Sequence, residues 1–148
     1  MSQSESRTIA YLFSSLVGAG LYFLYLIQQY QEGGFNSPTI SSSWGIAVLV
    51  VIGVQIVLSI ISAILVSIIE AIKAREEVPE LSDERDQLIE LKANRISFSV
   101  FGIGFLLAMI TLAAGLVPLV MFNLMVFSLF VAAVSGYVSQ LYLYRRGF

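Results

Sequence analysis

Four long apolar stretches, spaced so that every Lys and Arg falls on one side of them, constrain this chain more than any other feature. They run over about Thr8–Tyr30, Trp44–Ile69, Ile96–Val117 and Leu119–Tyr144. A helix crossing a hydrocarbon core about 30 Å thick needs about 20 residues, and each stretch is long enough. Of the eight basic residues, Arg7 precedes the first stretch and Arg145 and Arg146 follow the fourth. Lys73, Arg75, Arg85, Lys92 and Arg95 lie between the second and third. The connection over Tyr30–Ser43 holds none, and neither does the turn at Pro118. The positive-inside rule then puts both termini and the segment from Glu70 to Arg95 in the cytoplasm. The expected fold is all-α: one polytopic membrane domain over residues 1–148, with four transmembrane helices in a bundle and a charged cytoplasmic helical hairpin between helices two and three. The expected location is the inner (plasma) membrane, multi-pass, with the lipid bilayer as the obligatory partner.

Punctuation along the chain fits four spans. The serine run Ser41-Ser42-Ser43 offers N-caps for helix two, and Gly33-Gly34 with Ser37-Pro38 reads as an exposed loop. Tyr30, Phe35 and Trp44 fall where an interfacial aromatic belt would lie. Val78-Pro79 breaks the continuation of helix two. Ser82 or Asp83 then caps a helix expected to run unbroken through Arg95 into helix three, because neither Gly nor Pro occurs between Leu81 and Gly102. Gly115 and Pro118 end helix three, and helix four starts near Leu119. The polar Met1–Arg7 segment, followed by an apolar run extending to Ile27, reads as a retained first helix more than as a cleaved signal.

The composition removes most catalytic chemistry. With no Cys and no His, there are no thiol nucleophiles, imidazole bases or usual zinc and haem ligands, and no Ser–Lys pair falls within one span. No enzyme activity and no cofactor are expected. A net charge of −2 gives no reason to expect direct nucleic-acid binding. No acidic or basic residue lies near the middle of a span, where one would mark a proton or ion path. The candidate polar groups within the membrane are Gln55, Ser59, Asn123 and Gln140.

Small and polar residues recur at four-residue spacing: Gln55, Ser59, Ala63 and Ser67 on helix two, and Ser128, Ala132, Gly136 and Gln140 on helix four. Ser14 with Gly18, Ser15 with Ala19, Gly104 with Ala108 and Thr111 with Gly115 repeat the pattern. Close helix packing in lipid needs such positions, and ordinary packing within one bundle is the reading the pattern favours. A polar pathway or a homo-oligomer interface is the other.

The charged segment is the candidate interaction face. On a helix, Asp83, Asp86, Gln87, Glu90 and Asn94 fall on one side, and Arg85, Lys92 and Arg95 on another. Apolar Leu88, Ile89, Leu91 and Ala93 lie between. Divalent cations favour oxygen ligands, but the carboxylate spacing lacks the looped backbone of a calcium site. A solvated helix end, with its acids complementing the helix dipole, is one reading. Pairing of Asp83, Asp86 or Glu90 with Lys73, Arg75, Arg145 or Arg146 is another, with Glu90 the first choice. Docking of a cytoplasmic protein on Asp83, Glu84, Arg85, Asp86, Glu90, Lys92, Arg95, Arg145 and Arg146 is a third.

The residues Asp83-Glu84-Arg85-Asp86, Ile89, Lys92-Ala93, Arg95 and the closing Tyr142-Leu143-Tyr144-Arg145-Arg146-Gly147 resemble a family of small prokaryotic four-helix membrane proteins of uncharacterised function. The likeness covers about Leu81 to Phe148. It implies a D-E-R-D segment ahead of a transmembrane hairpin, and association with small helix-turn-helix regulators. The expected function is that of an inner-membrane accessory or regulatory protein acting through its cytoplasmic face. A small transporter or channel using Gln55, Ser59 and Gln140, as a homodimer, is the alternative.

Overall fold

A computed structural model of the chain describes residues 3–32, 40–73 and 84–146. Four helices make up nearly all of it: α1 (Gln3–Gln31), α2 (Ile40–Lys73), α3 (Glu84–Ala113) and α4 (Pro118–Arg145). Each contains a segment long and apolar enough to cross a membrane. The chain is therefore an all-helical, multi-pass membrane protein with four candidate spans. The turn of the expected charged hairpin, including Asp83 and Arg75, lies outside the described residues.

The four helices are not equally central. In the apolar windows of α1 and α4, 22% of residues are buried, against 6% in α2 and α3. The large interfaces join α3 to α4, α1 to α2 and α1 to α4. Thus α1 and α4 form the middle, α2 flanks α1, and α3 flanks α4. Neighbours run antiparallel: Ser14 meets Gln55 across α1 and α2, and Tyr11 stacks on Tyr137 across α1 and α4.

Small residues set the α3–α4 interface, as the four-residue ladder predicts. Ser128, Ala132 and Gly136 are buried on α4, and Ile89, Ala93 and Ala108 on α3. Ser97 Oγ donates to the Ala132 carbonyl at 2.8 Å. A Cβ on Gly104 would collide with the Ser128 side chain, and one on Gly136 would lie 3.1 Å from Ser97 Cβ. The backbones approach where side chains are absent, and dispersion contacts then replace lipid contacts.

The α3–α4 turn follows from its sequence. Gly115 takes φ +79°, a region open to glycine without a Cβ penalty. Its N–H bonds the Leu112 carbonyl at 3.0 Å, and the Leu116 N–H bonds that of Thr111 at 3.1 Å. This pair is a Schellman C-cap. Pro118 opens α4 at its first turn, where a missing N–H costs no helical bond.

Two helix starts differ from the sequence expectation. α2 begins at Ile40, so Ser41–Ser43 form its first turn and do not precede it. The N–H groups of a first turn have no partner within the helix, so serine is tolerated there. α1 begins at Gln3, ahead of Thr8, because the polar Glu5–Arg7 segment contains no helix breaker. By contrast α3 begins at Glu84, one residue from the expected Asp83, and continues without interruption past Arg95.

Candidate functional site

The charged arm of α3 is a continuous helix with one buried side. Ile89 is 0% exposed and Ala93 3%, while Leu88 and Leu91 on the other seams are exposed. Ala93 packs against α4 at Gly136, since a Cβ on that glycine would sit 3.8 Å from the Ala93 carbonyl oxygen. The same antiparallel register carried one turn farther puts Ile89 beside Gln140. The arm is thus held by the end of α4. Glu84, Arg85, Glu90, Lys92 and Arg95 are exposed along it, Asp86 is half-buried, and Arg145 and Arg146 are exposed at the end of α4.

The expected pairing of Glu90 with a basic residue on α4 is not among the contacts of the described residues. Arg146 turns back on its own helix: it donates to the Tyr142 hydroxyl at 2.9 Å and lies 5.7 Å from that ring's centroid. An i, i+4 partner on the same helix needs no reach across the gap to α3. Among the described residues no group of three or more His, Cys, Asp or Glu gathers into a possible metal site; Asp83 lies outside them.

The candidate intramembrane polar residues separate into two clusters. Near the Pro118 end, Asn123 Oδ1 accepts from the Tyr22 hydroxyl and from Trp44 Nε1, the latter at 3.2 Å. Trp44 Nε1 also lies 3.1 Å from the Tyr22 hydroxyl, so one N–H is shared between two acceptors. Asn123 Nδ2 donates to the Leu119 carbonyl at 2.8 Å, which fixes the amide's orientation. Trp44 stacks on Phe122 at 5.1 Å between centroids, and Tyr22 is 1% exposed. This knot ties α1, α2 and α4 together. Trp44 is therefore a tertiary contact, half-buried between helices, and not only a member of an interfacial belt.

Deeper, Gln55 Nε2 donates to Ser14 Oγ at 3.2 Å, and its buried Oε1 has no hydrogen-bond partner. Gly18 makes room for that oxygen, because a Cβ there would overlap it. Ser59 Oγ donates to the Gln55 carbonyl of its own helix at 2.8 Å. Ser67, on the same ladder, is exposed and bonds the Ala63 carbonyl. So Gln55 bonds across to α1, while the hydroxyls of Ser59 and Ser67 bond within α2.

Gln140 lies apart from Gln55. Trp44 and Asn123 share one depth because they are bonded. At about 1.5 Å per residue, Gln55 lies about 16 Å below that level on α2 and Gln140 about 25 Å below it on α4.

Tyr22 was not evident as a site from the sequence alone, yet it extends the Ser14–Gly18 spacing by one more turn. Ile89 and Ala93 lie at four-residue spacing with Ser97 on α3, a stripe separate from the Gly104–Ala108 and Thr111–Gly115 ladders. Tyr22 could have been found by continuing its ladder one turn; Ile89 and Ala93 could not, because no ladder read from the sequence passes through them.

The spans, the packed small-residue interface and the interhelical polar knot define a polytopic helical membrane protein. Comparisons with protein-family models, curated proteins and solved structures find no match to the chain.

Proposed function

We propose that this is an accessory or regulatory protein of the inner membrane, with both termini in the cytoplasm, that docks a cytoplasmic protein on the charged arm of α3 and the adjoining end of α4. The observation that carries the reading is that α3 continues as helix from Glu84 through Arg95, with most of its charged side chains exposed. Burial of Ile89 and Ala93 against α4 gives this surface a fixed shape, and a preorganised surface spends less free energy on ordering when it binds. The location of all eight basic residues on one side supports the orientation. The resemblance of Asp83–Arg95 and the Tyr142–Gly147 end to small prokaryotic membrane proteins supports a bacterial or archaeal setting and a regulatory role without catalysis.

The test is site-specific photocrosslinking in cells, with a crosslinking amino acid at Glu84 or Arg85 and a control at lipid-facing Phe105. A discrete adduct of defined mass at the first two positions, absent from the control and weakened by Glu84→Gln with Glu90→Gln, is the expected result. Crosslinks to lipid alone at all three positions would remove the docking reading.

A further inference from the structure

We propose that an outward strip of the α3 arm, Glu84, Leu88, Leu91 and Arg95, docks an amphipathic helix of a cytoplasmic protein. That helix sets a basic side chain against Glu84, leucine-sized side chains on the two leucines and a carboxylate against Arg95. The inference rests on the docking reading and names the partner's chemistry. At about 100° per residue, the four residues fall within about 60° of one another around the helix. Ile89 and Ala93, which are buried, lie on the opposite side, toward α4. All four strip residues are exposed, Leu88 at 54% and Leu91 at 65%.

Exposed leucine farther along α3 needs no protein partner, because lipid covers it. The arm differs by its depth. The apolar run starts at Ile96, and the headgroup layer outside the hydrocarbon is about 5–7 Å thick on each side. At about 1.5 Å per residue, Leu91 stands about 7 Å and Leu88 about 12 Å beyond Ile96. Lipid chains do not extend that far, so this pair meets water until a protein covers it. Arg95 borders the apolar run, and its long side chain carries the charge outward from that boundary.

Spacing and charge select the occupant. The strip advances by four, three and four residues, the rhythm by which one helix packs along another. Its far end is negative and its membrane end positive, about 16 Å apart along the axis. A second copy of this chain crosses the membrane in the same direction, so its strip would lie parallel. That arrangement sets Glu84 against Glu84 and Arg95 against Arg95, and juxtaposed like charges oppose association. A helix of another protein, with the charges in the reverse order, satisfies both ends and covers the leucines between them.

Titration of the full chain in phosphatidylcholine nanodiscs with three fluorescent helical peptides tests it. All carry leucine at the two middle positions of this spacing. The end positions are one Lys and one Glu in the first peptide, two Glu in the second and two Lys in the third, and binding to empty discs is subtracted. The mixed peptide should bind tightest, by up to about five-fold, the range of one exposed ion pair. Glu84→Lys should make the two-Glu peptide the tightest, and Arg95→Glu the two-Lys peptide. Leu88→Ala with Leu91→Ala should weaken the mixed peptide by about ten-fold or more, whereas Leu106→Ala, in the lipid-covered part of α3, should change nothing. Far-ultraviolet circular dichroism confirms that each variant remains helical. Leu88→Cys should react with a maleimide equally in discs with and without phosphatidylglycerol. No binding of any peptide, equal binding of all three, an order that survives the charge variants, or protection of Leu88→Cys by phosphatidylglycerol would each overturn the proposal. A crosslinked adduct at Glu84 or Arg85 in cells alongside such a result would leave docking standing and remove only the chemistry assigned to this strip.

Discussion

Asn123 ties three helices through one side chain. It receives hydrogen bonds from Tyr22 of α1 and Trp44 of α2 while its own amide is anchored on α4. Interhelical hydrogen bonds in membranes average about 0.6 kcal/mol and reach about 1.7. Replacing Asn123 with Leu removes two acceptances at once and should cost about 1–2 kcal/mol. Trp44→Phe should then add little in the Asn123→Leu background, though it is destabilising alone. Reversible unfolding in mixed micelles measures both, and strict additivity would show that the knot is not a unit. Glycines give a second contrast. Gly104 faces Ser128 with no room for a Cβ, whereas nothing lies within 4 Å of a Cβ placed on Gly102. Gly104→Ala should lose about 1–3 kcal/mol through overpacking, while Gly102→Ala should be neutral or slightly stabilising. The same unfolding assay separates them.

The arm of α3 makes a sharp test of why an element extends past the membrane. Leu88 is exposed and Ile89 fully buried. Leu88→Ala should therefore change stability little, while Ile89→Ala should cost about 2 kcal/mol or more. Leu88→Pro acts through the backbone and should cost about 3 kcal/mol or more, visible as loss of helical circular dichroism and exposure of the arm to protease. Equal effects of Leu88→Ala and Ile89→Ala would mean that α4 does not hold the arm. The existence and start of this helix were legible in the sequence, because an unbroken series of helix formers has no other local option. So was the Gly115–Pro118 turn, whose chemistry is local. The serine run before Trp44 misled, since serine serves a cap or a first turn about equally well and only the preceding residues decide. The small-residue ladder on α4 named its interface correctly. On the matching α2 ladder Gln55 bonds across to α1, Ser59 is half-buried and bonds its own helix, and Ser67 is exposed. Which faces of a membrane helix meet protein or lipid depends on partners distant in sequence, so the three-helix knot could not be read from any one segment.

For the molecule as a whole, α1 and α4 are central and α2 and α3 lie at the flanks with most of their apolar surface uncovered. Such surface is stable only in lipid, and that requirement, with the one-sided basic residues, underlies every functional reading proposed above. If the orientation is as proposed, the α3 arm and the Arg145–Arg146 end face the cytoplasm, and the Tyr22–Trp44–Asn123 knot lies toward the opposite surface. The chain contains no cysteine, so an introduced thiol reports on its own position without background. The most direct measurement labels Asn36→Cys and Glu77→Cys, in separate variants, with a membrane-impermeant maleimide in intact and then permeabilised cells. Asn36→Cys should label in intact cells and Glu77→Cys only after permeabilisation. Equal labelling of the two in intact cells, or the reverse order, would contradict the account.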